Sequence, residues 1–256
     1  MFAIYRKELR SFFINPIGYI YCGVFLVFAA LCCCYTTIIN KSYSTSTYFT
    51  TMLYAFAVLL PLLTMRSFAE ERKMKTEQLL LTSPVTITGM VFGKFLAAMT
   101  IYVGSMVLSL INLIPIYVLG AEERGAADYL TAHIGPYTPQ VLGQFFGLLL
   151  LGAAFLAVGI LISSMAENQL SAAVITIAVN LGLLLVNIIN NATDSDGEQL
   201  ITSYPVRFVF NWVSVLDRYA VFASGQFDLA AFIYFASIAF VFLFLTIRVY
   251  EKRRWS

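Results

Sequence analysis

Six stretches of mostly apolar residues, each near the length of a membrane crossing, alternate along the chain with shorter polar segments. A spanning helix needs about 20 such residues at a rise of about 1.5 Å each. That length predicts spans at about 17–39, 51–68, 88–119, 140–163, 170–190 and 229–248. The third is overlong and holds Pro115, which predicts a kink or tilt toward its far end. The fourth carries Gly147, Gly152, Ala153, Ala154, Ala157 and Gly159. Such small residues let helices approach closely, within one subunit or between two. The predicted fold class is an all-α integral membrane protein with six transmembrane helices.

Four segments do not span. In residues 1–15 an apolar stripe (Phe2, Tyr5, Leu9, Phe12, Phe13) opposes Lys7 and Arg10, predicting a short interfacial helix before Pro16. A charged loop covers 69–87, and a loop with Glu122, Glu123 and Asp128 covers 120–139. The stretch 191–228 starts polar and turn-like. Its part 204–224 is apolar but interrupted by Arg207, Asn211, Asp217 and Arg218. Three charges at depth would each cost a few kcal/mol. One or two amphipathic helices at the outer interface are therefore expected, with Ser203 capping and Pro205 in the first turn. Asn191-Ala192-Thr193 matches a glycosylation sequon, a pattern too short to weigh.

Composition supports the membrane reading. The hydrophobic share is 60% and the charged share 12%, against roughly 45–50% and 25% in soluble domains. Net charge is +2, but its distribution says more. With the N-terminus inside, the inner segments hold Arg6, Lys7, Arg10, Arg66, Arg72, Lys73, Lys75, Lys94, Arg248, Lys252, Arg253 and Arg254. The outer ones hold only Lys41, Arg124, Arg207 and Arg218. Twelve against four predicts both termini in the cytoplasm, and an even number of spans requires that agreement. The run from Ile17 to Ile39 is long enough to span and no small-x-small site closes it, so it reads as an uncleaved first helix. Cys22, Cys32, Cys33 and Cys34 lie in or beside that span, where packing is the favoured reading over lipidation or metal binding. With a single His133 and no Walker A loop, GxSxG elbow, HExxH or GxGxxG turn, neither a catalytic set nor a metal site is legible. If ATP drives this protein, another chain must bind it.

The loop after the second span is the most informative segment. A charge cluster (Glu70, Glu71, Arg72, Lys73, Lys75) precedes Thr76, a candidate N-cap. Glu77 and Gln78 then fill a first turn, where the helix dipole favours acid. Leu79, Leu80 and Leu81 continue a short helix through Ser83 that ends before Pro84. Such a helix is too short to be stable alone. Its leucines either pack on the protein's own surface or dock a cytoplasmic partner. The run SFAEERKMKTEQLLLTSPVT resembles the signature between spans two and three of ABC-2-type permeases. RKELRSFFINPIGYI, GKFLAA and GLLLLGAAFLAVGILISSMAENQ resemble the permease subunit of gliding-motility-type ABC transporters, with little match after residue 190.

The resemblance implies a membrane subunit that pairs with a second permease copy or a related permease, and with two copies of a cytoplasmic ABC ATPase. The helix Thr76–Ser83 then resembles a coupling helix set into that ATPase, and residues 1–15 an elbow helix. The segment 204–224 resembles outer re-entrant helices. By the same analogy the direction is export, ATP and Mg stay on the partner, and this chain needs no cofactor. An auxiliary membrane subunit with a large outer domain is a further implied partner, whereas nucleic acid is not. The expected location is a bacterial plasma membrane, multi-pass in the bilayer. The leucines would supply affinity, and Glu70, Glu71, Arg72, Lys73 and Lys75 register and steering. The rival is an ion-coupled secondary carrier, which would place ionisable groups at mid-membrane. Here the spans offer mainly Asn112, Asn180 and Asn187. No residue pattern names a substrate.

Overall fold

The computed structural model describes residues 1–39, 44–78, 86–118, 138–192 and 203–255, and every regular element among them is helical. Helix α1 (Phe2–Ile14) ends at Asn15, whose extended backbone turns the chain into α2 (Pro16–Cys33). Pro16 stands at the first helical position, where its missing N–H costs nothing. A π-helical turn, Cys34–Ile39, continues this first span. Next come α3 (Thr45–Thr64), the short α4 (Ala69–Lys73) and α5 (Ile87–Ser109). A 3₁₀ turn, Leu110–Asn112, interrupts the third span before it resumes to Val118. Pro115 explains the irregularity, because its ring crowds the carbonyl four residues earlier and it has no N–H to donate. The remaining helices are α6 (Thr138–Met165), α7 (Gln169–Asn190), α8 (Tyr204–Val213), α9 (Val215–Ala223) and α10 (Leu229–Trp255).

Six helical stretches are long and apolar enough to cross a membrane: Pro16–Ile39, Thr45–Lys73, Ile87–Val118, Thr138–Met165, Gln169–Asn190 and Leu229–Arg254. Spans two and four are the most buried and form the centre, while spans one, five and six keep most of their surface exposed. That exposed surface is apolar, with Val27, Leu31, Val174, Leu185, Ile233 and Phe240 among its residues. Water would not tolerate so large an apolar exterior, whereas hydrocarbon would.

Aromatic rings knit the centre. Tyr21, Phe25, Phe56 and Tyr102 form a continuous chain of ring contacts through spans one, two and three, the first two stacked and the last edge-to-face, with centroid separations of 6.2, 5.6 and 5.2 Å. Tyr102 also donates to the Leu148 carbonyl of span four at 2.7 Å, lying over Gly152, where any Cβ would strike its ring. Gly159 admits Thr64 in the same way, and Gly147 admits Phe222 of α9. The small residues of span four therefore serve packing inside one subunit.

Candidate functional site

The loop residues singled out from sequence gather at one end of the bundle, around α4. This helix has five residues and cannot hold itself together, so its ends are anchored by other elements. Ser163 Oγ of span four accepts the backbone N–H groups of Phe68 and Ala69, at 3.1 and 3.2 Å. It thus acts as an N-cap supplied from a distant helix. At the other end Lys75 adopts a left-handed φ of 56°. The Thr76 N–H then reaches back to the Glu71 carbonyl at 2.9 Å, and the Lys75 N–H to the Arg72 carbonyl at 3.0 Å. That pair of bonds closes α4 with a Schellman-type stop. The Thr76 hydroxyl also donates to the Glu71 carbonyl, at 3.2 Å.

The charges of this loop are mostly spent inside the chain. Lys94, seven residues into α5 and only 2% exposed, is the hub. Its ammonium donates to Glu71 Oε1 at 2.8 Å, Glu8 Oε1 at 3.0 Å and the Ser67 carbonyl at 2.6 Å. The Phe68 ring lies 4.9 Å beneath it. Three acceptors use all three of its N–H bonds, which a buried ammonium needs to offset desolvation. Glu71 stands beyond the apolar part of span two. Glu70 takes a two-pronged contact from Arg66 at 2.7 and 2.8 Å. Arg72 caps the end of span four, donating to the carbonyls of Met165 and Ala166 at 2.7 and 3.0 Å, where the helix dipole favours a cation. Glu77 accepts from Arg253 of α10 at 2.9 Å, and Phe68 packs on Tyr250 with centroids 4.6 Å apart.

Of the loop residues singled out from sequence, Glu70, Glu71, Arg72 and Glu77 thus have partners within the chain. Lys73, Met74, Lys75 and Gln78 are exposed. Leu79, Leu80, Leu81 and Ser83 lie outside the described residues. Glu8, Lys94 and Ser163 did not emerge as site residues from sequence. Two signals were available: a lysine within an apolar span, and the Gly89-x-x-x-Gly93 spacing just before it, where α1 settles. A Cβ on Gly93 would stand 3.1 Å from Ile4.

At the opposite end, 204–224 forms two helices of ten and nine residues broken at Ser214. Neither is long enough to span. Ser203 occupies the N-cap position of α8 without a side-chain capping bond, while Ser214 caps α9 by accepting from the Asp217 N–H. Asn187 of span five donates to Ser214 Oγ at 3.0 Å and Asp217 Oδ1 at 2.7 Å. Asn190 donates to Asn211 Oδ1 at 2.6 Å. Arg218 lies 5.7 Å from the Tyr234 ring centroid, and Arg207 makes no ion pair among the described residues. Three of the four singled-out residues therefore tie α8 and α9 to spans five and six. No group of three metal-ligating side chains occurs among the described residues.

This architecture defines a multi-pass, all-helical membrane protein with a polar network at each end of its bundle. The sequence pattern of the ABC-2 family transporter proteins matches residues 14–183, more than half of the chain. The chain belongs to this family of transporter proteins. It is accordingly a membrane permease subunit of an ABC transporter, and the family implies an ABC ATPase subunit as its partner. Among curated proteins, none matches the chain.

Proposed function

We propose that this permease subunit couples ATP hydrolysis on separate cytoplasmic ATPase subunits to export, with the loop after span two as the point of contact. One observation supports this best. The α4 loop is bonded to α5 through Lys94, which also holds Glu8 of α1, to the end of α6 through Ser163 and Arg72, and to α10 through Arg253. A force applied there reaches four elements at once. Meanwhile Lys73, Met74 and Lys75 face outward, close in sequence to a Leu79-Leu80-Leu81 run that suits a dry groove. In this reading both termini and the loop are cytoplasmic, α1 is an elbow helix, and α8–α9 lie at the outer interface. Two permeases, identical or related, assemble with two ATPases. The ATPase alone holds ATP and Mg, and an auxiliary subunit with a large outer domain joins the complex. A secondary carrier fits poorly, since Lys94 sits only about 10 Å from the start of its helix and is saturated by two carboxylates and a carbonyl.

Leu80→Asp tests the reading. A carboxylate in an apolar groove loses several kcal/mol to desolvation, and the lost leucine adds about 2 kcal/mol. Co-purification with the ATPase, and stimulated ATP turnover, should fall by orders of magnitude while insertion survives. Unchanged values in a well-inserted variant would refute the coupling role.

A further inference from the structure

Helix α1 carries a second, outward face that the coupling reading does not use. Ile4, Glu8 and Phe12 turn toward the bundle, with Ile4 and Phe12 buried and Glu8 held by Lys94. Phe2 and Phe13 are 75% and 51% exposed, and Arg6 and Arg10 are exposed between them. At about 100° per residue these four positions fall within an arc of about 80°. Glu8 is the sole acid of the helix, and Lys94 has drawn it inward. Arg6 and Arg10 make no ion pair among the described residues. Two uncompensated guanidiniums one turn apart therefore share a face with two phenyl rings, so Arg10 flanks Phe2 and Phe13 rather than opposing them as the sequence pattern predicts. An open groove of about 1250 Å³ runs along it, lined by Phe2, Arg6, Leu9, Arg10 and Phe13 among others.

We propose that this face binds an anionic phospholipid, its phosphate held between Arg6 and Arg10 and its acyl region in contact with Phe2 and Phe13. The guanidinium fork matches phosphate oxygens in pairs. Aromatic rings flanking cations at one helix face suit the boundary between headgroup and hydrocarbon. A free anion would gain nothing from the phenyl rings. The lysine that withdraws Glu8 also removes the one carboxylate that would repel the headgroup. The site depends on the chain lying in a bilayer, not on the ATPase docking at the loop.

Native mass spectrometry of the detergent-solubilised full chain, titrated with dioleoyl phosphatidylglycerol or dioleoyl phosphatidylcholine, tests it. The wild type should retain the anionic lipid preferentially. Arg6→Gln with Arg10→Gln should weaken it by about thirtyfold, roughly fivefold per basic residue at an anionic surface. Arg10→Gln alone should give about fivefold, and Phe2→Ala with Phe13→Ala should weaken both lipids. Lys252→Gln with Arg254→Gln, which changes exposed cations on α10, should leave the preference intact. Three results would overturn the proposal: an unchanged preference in the double arginine variant, an equal loss in the α10 variant, or displacement of the lipid by equimolar inorganic phosphate.

Discussion

A lysine with 2% exposure in an apolar helix persists only because its surroundings repay its desolvation. Lys94 brings together one carboxylate from α1 and one from α4, so its removal strands both. Lys94→Met should lower stability by roughly 3–5 kcal/mol, read as a drop in melting temperature in detergent. Lys7, 3.8 Å from each carboxylate but 62% exposed, is too well solvated to replace it. Adding Glu8→Gln and Glu71→Gln to Lys94→Met should restore much of the loss. A triple variant that melts as low as the single one would mean that packing of the lysine stem, not charge, holds the node. Ser163→Ala removes one hydroxyl that serves two backbone donors. It should cost about 1–2 kcal/mol, with hydrogen exchange accelerating first at Phe68 and Ala69.

At the scale of elements, α1 and α4 are short helices stabilised by what they lean on. The groove that receives α1 is made by Gly89 and Gly93, where the backbone of α5 is bare enough for Ile4 to approach. Gly93→Leu should push α1 off span three at about 1–3 kcal/mol. The expected signature is faster hydrogen exchange across residues 2–14 with the central spans unchanged. Equal protection in the variant would show that α1 is held by Lys94 rather than by the groove. Helices α8 and α9 follow the same logic at the other end. Asn187 and Asn190 bond to them, and Tyr234 donates to the Val213 carbonyl at 2.9 Å. Of the asparagines that are the main polar groups of the spans, Asn187 fastens span five to α9. Asn180 is buried with neither amide atom hydrogen-bonded among the described residues.

For the whole molecule, six spans and twelve basic residues against four predict that both ends face the cytoplasm. In a background without the native cysteines, single cysteines at Asp128 or Asp196 should react with an impermeant thiol reagent in intact cells. One at Ser256 should not, and its labelling would mean an odd number of crossings. What the sequence alone determined is what depends on neighbours along the chain: the six spans, the irregular third, and a 204–224 segment too interrupted by charge to span. Hydropathy is summed over about 20 consecutive residues, so no fold is needed to read it. The loop charges were visible in the same way, but their partners were not. Glu71 meets Lys94 and Arg72 meets Met165, pairs drawn from separate helices. Which carboxylate reaches which cation depends on how helices cross and where glycines let them close. Only the packed structure decides that, because the free energy of a buried charge belongs to its surroundings and not to its place in the chain.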